Sequence, residues 1–134
     1  MKGQMSLDLI LVILALVVFL SVFQFISTQI SFNAVKISAR DQVKTIASDI
    51  AGLMEAMPSN GATTITNHKI PFISLKEKKA SCTISIKTNK VNISMDENIE
   101  GLAVSIEESI TVLNEKTNNL IIDANCGETI NIST

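Results

Sequence analysis

The sequence predicts an α+β protein in which one long N-terminal helix packs against a mostly antiparallel β head. Three features of the 134-residue chain support this prediction. Residues 9–26 are apolar apart from Ser21 and Gln24, a helical apolar stripe continues to Met57, and from residue 62 the apolar pattern alternates instead. A chain of this length accommodates one domain and an appendage.

Residues 9–26 have the length and composition of a membrane span. A helix of this length extends over about 27 Å, which is close to the hydrocarbon thickness of a bilayer. The chain that follows Ile26 is rich in Ser, Thr, Asn and Lys. We therefore expect a membrane anchor, with residues 4–26 as the transmembrane part of the helix, followed by an exported region.

The helical pattern continues beyond the apolar segment. No proline or glycine occurs between residues 4 and 51, and Pro58, Asn60 and Gly61 form a strong stop. One apolar stripe of a 3.6-residue helix runs through Phe32, Val35, Ala39, Val43, Ile46, Ile50, Leu53 and Met57. The sequence thus predicts a single helix over residues 4–57 whose second half is amphipathic.

Residues 58–134 are predicted to form the β head. Short, β-branched and partly alternating segments recur here: TTIT, PFISL, CTISIKT, KVNISM, LAVSI, SITVL, NLIIDA and TINIS. The segment KTNKV (87–91) is typical of a hairpin turn, and Pro71 indicates an edge strand or the start of one. Residues 97–115 also fit a helix, but their β-branched residues favour strand. A sheet covering the helical stripe would bury both apolar faces.

Composition excludes several classes of function. The net charge is −2, Arg40 is the only arginine, and Trp and Tyr are absent, so nucleic-acid binding is not expected. The single histidine, His68, has no candidate partner, and no nucleophile motif or phosphate loop occurs. We expect neither an enzyme nor a cofactor. The acidic pairs 96–97 and 107–108 are interpreted as solvated charges, with cation binding as the alternative.

Cys82 and Cys126 are the only two cysteines. They form no C-x-x-C pair and have no histidine nearby in the sequence, so no metal site is expected. In an exported domain they indicate one disulfide, with two separate buried thiols as the alternative. The same region contains two N-x-S/T sequons, which make Asn92 and Asn131 candidate glycosylation sites.

The residues KGQMSLD (2–8) resemble the class III signal peptide of archaeal type IV pilins. That pattern is a basic residue, Gly, and then Gln-x-Ser-x-acid leading into an apolar helix. The resemblance implies that Lys2 is the cytoplasmic charge and that a prepilin peptidase recognises Ser6 and cuts between Gly3 and Gln4. Residues 1–3 would then be a cleaved leader.

Asp8 stands at the start of the apolar segment, where a carboxylate in hydrocarbon is costly. The resemblance makes it the fifth residue of the mature chain, the acid that pairs in pilins with the new N-terminal amine. A buried unpaired charge within a filament is energetically costly. Such an acid therefore selects the alignment of neighbouring subunits more than it adds stability. The alternative is an interfacial acid beside the lipid head groups.

The resemblance implies a prepilin that is a membrane precursor and then a subunit of an adhesive surface filament. Its partners would be other copies of itself, the peptidase, the membrane and the pilus assembly machinery. A membrane-anchored exported binding domain that never polymerises is the alternative from another class. A minor pilin or secretion pseudopilin is a variant of the first hypothesis.

Overall fold

The computed structural model describes residues 2–57, 65–99, 101–114 and 120–133. Helix α1 spans Lys2–Glu55 and is followed by strands that pair only in antiparallel fashion within the described part of the chain. The strands are β1 (Ile65–Lys69), β2 (Ile73–Leu75), β3 (Lys78–Ala80), β4 (Thr83–Lys87), β5 (Lys90–Ile99), β6 (Leu102–Thr111), β7 (Ile121–Asn125) and β8 (Thr129–Ser133). The predicted α+β fold is confirmed. The predicted helix stop at Pro58, Asn60 and Gly61 lies outside the described residues.

The chain divides into two compact units. Residues 1–35 form the first unit, which contains the apolar part of α1. Residues 36–134 form the second unit, which contains the rest of α1 and the described strands. The last twenty residues of the helix, 36–55, are therefore part of the same packed unit as the head.

In the second unit α1 buries one face. Its buried side chains are small or aliphatic and recur every three to four residues: Ala39, Val43, Ile46, Ala47, Ile50, Ala51 and Met54. This face agrees with most of the predicted stripe. Leu53, however, is partly exposed, and Met54 beside it is fully buried. The reason is that positions 43, 47, 50 and 54, spaced by three or four residues, lie on the same face of a helix with 3.6 residues per turn.

A four-stranded sheet in the order β6-β5-β4-β7 forms the largest part of the head. Its strands alternate as predicted, with one apolar face buried: Ile84, Ile86, Val91, Ile93, Met95, Val104 and Ile106. Thr88 and Asn89 connect β4 to β5 with positive φ angles of 49° and 60°. Two such residues make the tight turn that suits a twisted hairpin, which confirms the prediction for KTNKV.

Two smaller antiparallel pairs complete the head. β2 pairs with β3, and β1 pairs with β8. Hydrogen bonds from Ile70 N to Glu128 O and from Gly127 N to Ile70 O, both 2.9 Å, extend the second pair. Gly127 has a φ of +90°, and a Cβ there would overlap the ring of Phe72. Only glycine meets both conditions without rearrangement.

The structure resolves the ambiguous segment and adds one strand. Residues 97–99 and 102–111 are strand, which confirms the preference over helix. The segment LAVSI and the first three residues of SITVL belong to the single strand β6. β3, with the sequence KKA, was not predicted, since two of its three residues are exposed lysines. It forms because the turn at Lys76, where φ is 51°, folds the chain back onto β2.

Among the described residues, three polar residue pairs join α1 to the rest of the head. The Arg40 guanidinium and the Glu108 carboxylate are 3.0 Å apart. The Gln42 amide donates to Ser74 O at 2.8 Å and accepts from Ser74 N at 2.7 Å, and Asn114 donates to Met54 O at 2.9 Å. Gln42 thus satisfies both backbone groups of a β2 residue as a neighbouring strand would.

Candidate functional site

The first candidate site is the exposed apolar surface of α1, which we define as residues 7–30. Every described side chain in this range is exposed. It includes 17 large apolar side chains, from Leu7 at 63% exposure to Ile30 at 64%. The helix is long and apolar enough to cross a membrane, and none of its most apolar window is buried.

This surface is incompatible with water as its final environment. Burying one such side chain contributes roughly 1.5–3 kcal/mol, so the whole set amounts to tens of kcal/mol. Exposed contiguous apolar areas of this extent indicate contact with lipid or protein. The structure therefore confirms a membrane-capable N-terminal helix, as expected for membrane anchoring or for a signal sequence.

Hydroxyl groups within the apolar surface are satisfied locally. Ser21 Oγ donates to the Val17 carbonyl, and Thr28 Oγ1 donates to the Phe25 carbonyl, both at 2.8 Å. In a medium without water an unsatisfied hydroxyl would be costly, and bonding to the preceding helical turn removes that penalty. These two residues are thus compatible with burial in lipid or between helices.

The KGQMSLD motif (2–8) lies in the first turns of α1. Residues 2–5 are helical in backbone, but their side chains lie outside the described part of the structure, as does Met1. Ser6 and Asp8 are exposed, and Asp8 is flanked by Leu7 and Leu9 at 63% and 62% exposure. Asp8 makes no ion pair with any described side chain. Its role in register, and cleavage between Gly3 and Gln4, remain predictions.

The second candidate site is the disulfide between Cys82 and Cys126. Both residues are buried, at 3% and 5% exposure, and their Cα atoms are 5.0 Å apart. Cys126 N donates to Cys82 O at 2.9 Å, which continues the β4–β7 ladder by one pair beyond Thr83 and Asn125. The expectation of one disulfide is confirmed, and the alternative of two separate thiols is excluded.

The two sequons occupy different positions in the sheets. Asn131 is exposed on β8, opposite Asn67 of β1, while Ile130 and Ile132 on either side are buried. Asn92 is half-buried in the central strand β5, opposite a residue of β4 on one side and of β6 on the other. Both side chains are on the face opposite the core, and Asn131 is the more accessible.

The acidic pairs do not converge on a cation. Strand alternation places Asp96 and Glu107 on the exposed face of the sheet and Glu97 and Glu108 on the other. Within the described residues no group of three or more His, Cys, Asp or Glu side chains lies close enough to hold a metal ion. Glu108 instead pairs with Arg40 of α1, a role that the sequence did not indicate.

An open cleft of about 350 Å³ lies in the head, between the β2–β3 turn and the end of β5. It is lined by Leu75, Lys76, Glu77, Lys78 and Ile99. The mixture of two aliphatic side chains with charged ones is compatible with a small polar ligand. No family model, curated protein or solved structure matches the chain.

Proposed function

We propose that the chain is a prepilin: the structural subunit of an archaeal type IV pilus-like surface filament, serving adhesion. The observation that carries this proposal is the position of the 2–8 motif at the start of a helix whose apolar surface is exposed all round. A peptidase would cut after Gly3, and the subunits would then polymerise through residues 7–30. The head would become the surface of the filament outside the cell.

The exposed helix supports both stages of this cycle. In the precursor it would lie in the bilayer, where its 17 large apolar side chains would contact lipid. In the filament the same side chains would pack against helices of neighbouring subunits. Since lipid and protein are both apolar surroundings, transfer of the helix from the bilayer to the filament would carry little net penalty. Side-chain packing and polar pairing would then decide whether subunits assemble.

Asp8 would supply the polar pairing. Cleavage would create an amine on Gln4, which is normally protonated at neutral pH. A carboxylate and an ammonium group buried together are tolerated far better than either alone. The position of Asp8 at the start of the apolar surface, without a described ion-pair partner in its own chain, supports a partner that arises only after cleavage.

A membrane-anchored exported domain that never polymerises is the second candidate. The cleft between the β2–β3 turn and Ile99 favours it, since a binding domain needs a concave site. Such a domain would have no need for the Gly3–Gln4 bond or for an acid four residues later. A minor pilin or a pseudopilin would share the processing of the first candidate.

The mature N-terminus separates these candidates. Mass spectrometry of the native protein should show a chain that begins at Gln4, and Gly3→Val should leave the precursor uncut because a branched side chain would obstruct the peptidase. An intact start at Met1 in native material would refute the prepilin proposal and leave the anchored domain. The conservative variant Gly3→Ala provides the control, since it should reduce cleavage less than Gly3→Val.

A further inference from the structure

The exposed face of the four-stranded sheet has an organised charge pattern, and we call it the outer face. Reading across β6, β5, β4 and β7, the register places residues side by side in rows. The rows are Thr111–Lys90–Lys87–Ile121, Ser109–Asn92–Ser85–Asp123 and Glu107–Ser94–Thr83–Asn125, and Ser105–Asp96 follow on the two longer strands. The two lysines and Asp96 lie at opposite ends of the face, Asp123 and Glu107 lie at the edges of the rows between them, and Ser, Thr and Asn fill the other positions of those rows.

One end of the outer face is basic. Lys87 and Lys90 are directly opposite each other on β4 and β5, and both are exposed. Like charges in this arrangement repel, so the pair opposes the fold rather than supporting it. Asp123 on β7 lies diagonal to Lys87 and offsets part of its charge, which leaves Lys90 the less compensated of the two.

The other end is acidic. Glu107 and Asp96 are both exposed, and the register makes them diagonal neighbours on β6 and β5. Lys90 and Asp96 are six residues apart on the same strand, about 20 Å at the rise of an antiparallel strand. That distance is too long for an ion pair, and no salt bridge links the two ends within the described residues. Each end is therefore free for an external partner.

We propose that the outer face binds the outer face of a second copy of this chain. A two-fold axis between the two faces, perpendicular to the strands and level with Ile93, would place Lys90 of each copy opposite Asp96 of the other, with Lys87 and Glu107 on the two strands that flank this pair. Such an isologous contact uses the same patch twice. The two central strands carry only Ser, Thr and Asn in the middle rows, which leaves the centre of the face flat so that two sheets can approach closely.

The contact is weak for a single pair of heads. From the strand spacing and rise, each face covers roughly 300 Å². Two faces together bury about half of the 1,200 Å² or more that is typical of stable complexes. Many such contacts between two arrays of heads would act together, so linked copies would adhere where isolated ones do not. The inference rests on the proposed filament only because a filament would supply the array of heads. The outer-face contact would then hold neighbouring filaments side by side.

The same geometry limits glycosylation. Asn92 lies in the middle row of the outer face, between Ser85 and Ser109. A glycan there would separate the two faces, whereas one at Asn131 lies on a different sheet. The outer-face contact therefore requires that Asn92 is unmodified in associated copies. Full occupancy of Asn92 in laterally associated native filaments would overturn it.

The test uses the full chain in vesicles of neutral phosphatidylcholine, which display arrays of heads without filaments. Vesicles should clump at low salt, measured by light scattering, and separate at 0.5–1 M salt because the Debye length falls to a few ångströms. Zero-length cross-linking should join Lys87 or Lys90 of one chain to Asp96 or Glu107 of another. Chains of two isotopic compositions identify intermolecular links.

Charge reversal provides the decisive comparison. Vesicles with K87E/K90E alone, or with D96K/E107K alone, should not clump, whereas a mixture of the two should clump again because one outer face becomes acidic and the other becomes basic apart from Asp123. The matched control is K69E/K78E, which changes the net charge equally but lies on other sheets. The control keeps the outer face intact, so its vesicles should clump with each other as the wild type does, but D96K/E107K vesicles, followed by a second label, should join them less than they join K87E/K90E vesicles.

Two results would overturn the proposal. Wild-type vesicles that stay dispersed at low salt would show that the faces do not bind each other. Equal recruitment of D96K/E107K vesicles by K69E/K78E and by K87E/K90E vesicles would show general attraction between opposite charges. Neither result depends on cleavage or polymerisation, so the outer-face contact and the prepilin proposal can fail separately.

Discussion

Reduction of the Cys82–Cys126 disulfide should strongly destabilise the head. The bond joins residues 44 positions apart and thereby closes a loop that contains β4, β5, β6 and β7. In the chain-entropy treatment, a loop of this length contributes about 4 kcal/mol by restricting the unfolded chain. For a unit of this size, each kcal/mol corresponds to about 4–8 °C in melting temperature. Because measured contributions often fall below the ideal value, we expect the melting temperature to fall by at least about 8 °C.

Calorimetry is the suitable assay, since the chain has no Trp or Tyr to report unfolding by fluorescence. The full chain in detergent should be compared oxidised, reduced, and as Cys82→Ala/Cys126→Ala. The reduced wild type keeps both buried sulfur atoms, so its difference from the oxidised form isolates the covalent constraint. The double variant should melt slightly lower still, because two buried side chains become smaller. Oxidised and reduced forms that melt within about 2 °C of each other would refute the loop-closure argument.

Three further predictions concern other parts of the chain. Asp8→Ala should insert into membranes as well as the wild type or better, yet electron microscopy should show few filaments; filaments at the wild-type level would make Asp8 an interfacial acid. Gln42→Ala should lower the free energy of unfolding by about 1–2 kcal/mol, because two hydrogen bonds to Ser74 are lost. Gln42→Glu should destabilise at least as much at neutral pH, since a carboxylate cannot donate to the Ser74 carbonyl, and stability equal to the wild type would contradict this role. Glycopeptide mass spectrometry of native protein should find higher occupancy at Asn131 than at Asn92, and the reverse order would show that exposure in the folded head does not govern modification.

The fold class could be predicted from the sequence because its signals are local. Residues close together in the chain are enough to identify each signal: the apolar segment 9–26, the helical stripe that ends at Met57, and the alternating segments of the head. Cys82, Ile84 and Ile86 are the alternate apolar residues of the segment CTISIKT, and all three are buried. The error at Leu53 and Met54 has a geometric cause, since adjacent helical positions are separated by only 100° and either can border an apolar stripe.

The contacts between α1 and the head could not be predicted in the same way. Arg40 and Glu108 are 68 residues apart, and Gln42 and Ser74 are 32 apart. Nothing in the local pattern of any of these residues indicates its partner. Their pairing depends on which strands flank the helix, and this is a property of the whole unit. β3 was missed for a related reason, because exposed lysines carry no apolar alternation and the strand exists only through its pairing with β2.

The sequence by itself determined the apolar helix, the KGQMSLD pattern at its start and the alternation of most strands, since these depend on residues close together in the chain. Tertiary structure alone decided that Cys82 and Cys126 are bonded, that Glu108 faces α1 while Glu107 faces outward, and that Lys87 and Lys90 share one end of a sheet. The physical reason is register. A one-residue shift between strands moves every side chain to the opposite face, and only the packed core of the head selects one register over the other.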